Sequence, residues 1–183
     1  MDLGGLLSKY LNPAGNVPAA DAENHFDQVA QNAPGQTVSQ GISDALRSDQ
    51  TPALGEMVKQ AFSRADPQQR AGMLNEILSS LPPGTLSSLG GALGGGALGG
   101  ILGHLGGTDA GGTPQVTPQV TPQQASQISP QQVQDLANHA ETHDSSIFDK
   151  LGDFYSRNPD LVKALGISVL GVALSKIAGR ARG

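Results

Sequence analysis

Residues 86–105 read LSSLGGALGGGALGGILGHL, twenty positions with no formal charge. Within them Gly91, Gly95, Gly99 and Gly103 recur every fourth residue. On a helix that spacing stacks the glycines on one face. Each glycine costs a water-exposed helix ~1 kcal/mol against alanine. The segment is therefore either a shielded helix that lets another backbone come close or a Gly/Leu/Ala-rich tether. The regular register and the set Leu89, Leu93, Leu98, Ile101, Leu102 and Leu105 favour the helix, since a tether has no need of those leucines. Twenty helical residues also match one hydrocarbon thickness, which makes a membrane one candidate shield.

Around this segment the chain reads as all-α. From Ala20 to Leu81 four amphipathic stripes follow one another. They carry Ala22, Phe26, Val29 and Ala33; Val38, Ile42, Ala45 and Leu46; Leu54, Met57, Val58, Ala61 and Phe62; and Leu74, Ile77, Leu78 and Leu81. Thr51-Pro52 and Asp66-Pro67 each set a capping side chain before a proline, and Gln69 completes a capping-box spacing with Asp66. Residues 2–11 add a short apolar segment that must dock to be stable. No stretch sustains β alternation.

After the glycine segment comes a Gly/Pro-rich linker with the tandem TPQV, TPQV, TPQQ. Two near-identical helix starts follow, Thr121-Pro122-Gln123-Gln124 and Ser129-Pro130-Gln131-Gln132. The next helices present Val133, Leu136, Ala137 and Ala140, then Ile147, Phe148, Leu151, Phe154 and Tyr155. Asn158-Pro159 opens a last helix that is apolar nearly all round between Ala164 and Leu174, a pattern buried in protein or in lipid. The organisation expected is an N-terminal helical bundle (1–83), the glycine-zipper segment (84–106), the linker (107–120) and a C-terminal helical module (121–183). With aromatics at 3% and no Trp, the apolar surface is expected to divide among several small helical clusters.

In the last helix Gly171, Ser175 and Gly179 repeat a small residue every fourth position, a second candidate packing face. Lys163 and Lys176 flank its apolar stretch, and Arg180 and Arg182 follow. Such an end suits an anionic membrane surface. Membrane lipid and further copies of the chain are thus the partners expected. Nucleic acid is not, because the basic groups are few and lack interleaved aromatics. Cysteine is absent, which excludes thiolate chemistry.

His139 and His143 lie four apart with Asp135 one turn earlier, the spacing of a two-histidine metal pair. Glu141 does not directly follow the first histidine, and the polar border of an amphipathic helix explains all three. No metal, cofactor or small-molecule substrate is therefore assigned, and no catalytic site is expected. Gly94, Gly96 and Gly99 match GxGxxG, but no strand precedes them.

The N-terminal GGLL and the stretch ISPQQVQDL at 128–136 resemble segments of uncharacterised YidB-like bacterial proteins. The glycine register is similar to the glycine-zipper segments of small bacterial envelope proteins. The first resemblance implies a bacterial protein without an assigned activity. Met-Asp at the start carries no basic region before an apolar run, so a cleavable signal is not expected. A cytoplasmic protein, or one on or in the inner membrane, is the expected location. The function expected is association, with a membrane or with itself. A soluble scaffold whose Gly/Pro middle is a tether is the alternative, and metal binding a third.

Overall fold

The computed structural model describes residue 5, residue 10 and residues 18–82, then 85, 88–89, 99–100 and 119–180. Every regular element among them is helical: α1 Ala19–Asn32, α2 Gly35–Leu46, α3 Leu54–Arg64, α4 Pro67–Ser79, α5 Pro122–Ser126, α6 Pro130–His143, α7 Ile147–Ser156, α8 Pro159–Ala164 and α9 Ile167–Arg180. The protein is all-α, as its periodicity predicts.

Local chemistry sets most boundaries. Three helices open with a complete capping box and proline in the first turn. At α4, Gln69 N donates to Asp66 Oδ1 (2.8 Å) and Asp66 N donates back to Gln69 Oε1 (3.1 Å). Thr121 with Gln124 and Ser129 with Gln132 repeat the pattern at α5 and α6. Each box satisfies two of the N–H groups that a helix start leaves unpaired.

Thr51 departs from expectation. It does not cap α3, which begins at Leu54 after an uncapped Ala53. Its hydroxyl instead faces the carbonyls of Ala45 (2.8 Å) and Ser48 (2.7 Å), closing the end of α2. The long last helix is also divided. Gly166, at φ +95°, lies in the left-handed region and separates α8 from α9; glycine adopts this conformation without a Cβ penalty.

The apolar stripes meet in one hydrophobic cluster rather than several. It runs from Phe26 to Ala178 and draws on every helix. Its members include Phe62, Met73, Leu136 and Tyr155, all fully buried. Sequence separates residues 18–82 from 119–180, yet packing interleaves them. Helix α2 lies against α7 and α9, α3 against α6, and α4 against α5 and α7. Contacts within either half, such as α1 with α2 or α3 with α4, are slight by comparison. The physical reason is width: a narrow stripe of four or five apolar residues cannot enclose a core, so each half is covered by the other.

Candidate functional site

Two helix crossings organise this shared core, and they are built alike. At the first, α7 presents Leu151-Gly152-Asp153 to α2. A Cβ on Gly152 would lie 2.8 Å from the Ser39 carbonyl and would strike the Ser43 side chain. At the second, α3 presents Leu54-Gly55-Glu56 to α6. A Cβ on Gly55 would lie 2.9 Å from the Gln134 carbonyl and would strike the Asn138 side chain. Each glycine thus admits the opposing backbone at one residue and a polar side chain four positions on.

The acid after each glycine completes the likeness. Ser39 Oγ donates to Asp153 across the first crossing. Gln134 Nε2 donates to Glu56 Oε2 at 2.9 Å across the second. Ser39 and Ser43 are buried, and both are satisfied, with Ser43 Oγ donating to the Ser39 carbonyl at 3.0 Å. The four residues of each crossing come from both halves of the chain.

Further links between the halves flank the crossings. On α2, Gly41 receives Ile177 of α9, whose backbone N lies 3.2 Å from a Cβ built there. The amide of Asn75 on α4 clasps Val120: it accepts from Val120 N (2.7 Å) and donates to Val120 O (3.4 Å). Val120 itself is buried. Lys150 Nζ donates to the Ser79 carbonyl at the C-terminus of α4 (3.0 Å), where a cation is favoured by the helix dipole. It also lies 3.9 Å from Asp144. The Ser146 hydroxyl and amide, with Lys150 as a lesser influence, hold the Asp144 carboxyl below its ordinary range.

The candidate membrane-facing cations are placed differently from one another. Lys163 is half-buried and pairs with Asp160 (2.9 Å) and Asp27 (3.1 Å). The hydrogen bond that Lys163 Nζ donates to Asp160 is the largest influence raising its pKa, partly offset by desolvation and reinforced by Asp27. Arg180 places Nε (2.9 Å) and Nη2 (2.7 Å) on one Asp44 carboxylate oxygen and Nη1 on Gln40 (3.0 Å). Both residues are thus tied to α1, α2 and α8 rather than directed outward as a pair. Lys176 is exposed on α9. Arg182 lies outside the described residues.

The small-residue faces also separate. Gly91, Gly95 and Gly103 lie outside the described residues, while Gly99 is helical and half-buried. On α9, nothing among the described residues lies within 4 Å of a Cβ built at Gly171 or Gly179, and Ser175 is half-buried. At Gly171 and Gly179 that face of α9 meets no neighbouring backbone among the described residues. Its opposite face, with Val169, Leu170, Ala173, Leu174 and Ile177, is buried in the protein core. Among the described residues, no helix is long and apolar enough to cross a membrane. Asp135, His139 and His143 are exposed along α6. Among the described residues, no cluster of three or more His, Asp or Glu is arranged to hold a metal ion.

Spacing places Tyr155 on the apolar stripe of α7 and Tyr10 in the short N-terminal apolar segment, and both tyrosines pack against the core. Tyr10 meets His25 of α1, with its hydroxyl 2.8 Å from Nδ1 and the rings edge-on. Burial, aided by Asp21, pushes the Tyr10 hydroxyl up to about 12. Tyr155 is fully enclosed, its hydroxyl directed at Met73 Sδ (4.0 Å), and burial raises its pKa. The packing glycines Gly41, Gly55 and Gly152, in contrast, were not singled out. A signal was present: each interrupts an otherwise good amphipathic helix, which costs stability unless close packing requires it.

No protein-family model, curated protein or solved structure matches this chain.

Proposed function

We propose that this is a non-enzymatic association protein: a helical scaffold that presents its glycine-rich segment, residues 84–106, to another copy of the chain. The observation that carries the reading is the anchoring of that region. Leu89 belongs to the scaffold's hydrophobic cluster, and Val120 is clasped by Asn75. Residues 90–118, which hold most of the uncharged glycine register, are thus secured to the folded helices at both ends. Among the described residues the helices keep little apolar surface outside, Ile167 being the large hydrophobic residue left exposed, at 44%.

A membrane surface is the second reading, favoured by the twenty consecutive uncharged residues at 86–105. The resemblance to YidB-like proteins supports a bacterial setting for either. Light scattering of the purified chain beside a Gly95→Ile/Gly99→Ile variant tests self-association. The expected result is a lower mass for the variant; an unchanged mass rejects packing through the stripe. Flotation with anionic vesicles, and fractionation of expressing cells, reads the membrane alternative, which fails if the chain stays wholly in the supernatant.

A further inference from the structure

We propose that the chain also pairs with a second copy of itself by exchanging its C-terminal half. In the pair, residues 18–82 of one copy and residues 119–180 of the other complete each folded unit. This goes beyond association through residues 84–106 and does not require it.

The partition of contacts carries the inference. The extensive helix contacts, α2 with α7, α2 with α9, α3 with α6 and α4 with α5, all join one half to the other. So do the glycine approaches at Gly41, Gly55 and Gly152. The polar links obey the same division: Ser39 to Asp153, Gln134 to Glu56, and Asn75 to Val120. The ion pairs Arg180–Asp44, Lys163–Asp27 and Arg47–Asp149 cross it as well. Each half therefore presents a face whose complement is the other half. A second copy carries the same complement, residue for residue.

Closed and exchanged forms make the same contacts within each unit and differ only in which chain supplies the partner half. Exchange of this kind is a low-cost route to a dimer. The connection permits it: an extended chain advances at most ~3.6 Å per residue, so residues 90–118 span up to roughly 100 Å. The balance between forms depends on chain concentration. Because the core must open before halves can part, the choice is made as the chain folds.

The test uses two full-length variants, Asp44→Cys and Arg180→Cys. The natural chain has no cysteine, so each introduced thiol is unique. The variants are unfolded in denaturant, mixed, and refolded at low and at high chain concentration. A short bis-maleimide is added, and the products are separated by size. The expected result is a dimer-sized fraction that grows with chain concentration and contains a covalent 44–180 heterodimer absent from the monomer fraction. The double variant Asp44→Cys/Arg180→Cys cross-links within the monomer and shows that the reagent spans the pair. Wild-type chain refolded in the same way reads the dimer fraction without any substitution. A wild-type chain that refolds only as monomer at every concentration overturns exchange. A dimer that lacks the 44–180 link also overturns it, while leaving association through residues 84–106 standing.

Discussion

Replacing Gly152 by alanine sets two effects against each other at one atom. Alanine is the better helix former by ~1 kcal/mol, so helix propensity alone predicts a gain. But the added methyl would lie 2.8 Å from the Ser39 carbonyl, a backbone atom that cannot rotate aside. It would also displace the buried Ser43 hydroxyl. Overpacking of this kind costs about 1–3 kcal/mol, so the balance is a loss of up to about 2 kcal/mol. Gly171→Ala is the control, because nothing among the described residues lies within 4 Å of its new methyl. There the ~1 kcal/mol propensity gain stands unopposed. Urea unfolding should therefore separate the two variants by about 1–3 kcal/mol with the sign reversed, an interval of several degrees in Tm for a chain of this size. If Gly152→Ala stabilises the protein as much as Gly171→Ala does, the α2–α7 crossing is not the close contact described.

Other perturbations probe the links between halves and the titrating groups. Asn75→Ala strands the amide and carbonyl of Val120 and should cost about 1–3 kcal/mol; hydrogen exchange at the Val120 amide should accelerate, and an unchanged rate would remove the clasp. Arg180→Met breaks an exposed ion pair worth at most about 1 kcal/mol, and the loss should shrink as salt is added in the unfolding titration. Tyr10 and Tyr155 both have raised pKa values. Their stabilising effect is full below the unfolded tyrosine pKa, near 10, and is lost as pH rises above it, for Tyr10 toward about 12. The urea midpoint should accordingly fall across this window, and less steeply in Tyr155→Phe. Asp144 has a lowered pKa, so its contribution is present above the ordinary aspartate range and disappears as pH falls through its folded value; Asp144→Asn should flatten the acid limb of the stability profile.

Helix existence was legible because it rests on local chemistry. The boxes at Asp66, Thr121 and Ser129 act over three residues, and each forms as its spacing predicts. The division at Gly166 was hidden, since an isolated glycine in an apolar run reads equally as a helix interior. Tertiary placement was less legible still. In sequence Lys163 flanks the apolar stretch together with Lys176, and Arg180 follows it, but the distant acids that Lys163 and Arg180 meet, Asp27 and Asp44, lie more than a hundred positions away. The all-round apolarity of residues 164–174 predicts burial on every side, but within α9 only the face with Val169, Leu170, Ala173 and Leu174 is buried, while Ile167 is exposed and Gly171 and Val172 are half-buried. In the structure the covering groups of α9 come from α1, α2 and α8.

Small residues at fourfold spacing predict close helix approach in residues 91–103, most of which lie outside the described residues, and on α9, where Gly171 and Gly179 meet no neighbour among the described residues. Close approach is found at other glycines. At Gly41, Gly55 and Gly152 a missing Cβ brings two backbones together. Along α6, Ala137 and Ala140 sit fully buried between larger neighbours. Close approach raises the number of atoms in van der Waals range per apolar residue. This is how a chain that is only 3% aromatic and lacks Trp still forms one continuous core. It also makes the fold depend on two specific crossings rather than on bulk hydrophobicity. Conservative volume changes at Leu136 or Ile77 should then cost less than a single methyl at Gly55 or Gly152. The first can be absorbed by neighbouring side chains, whereas the second meets the carbonyl of Gln134 or Ser39.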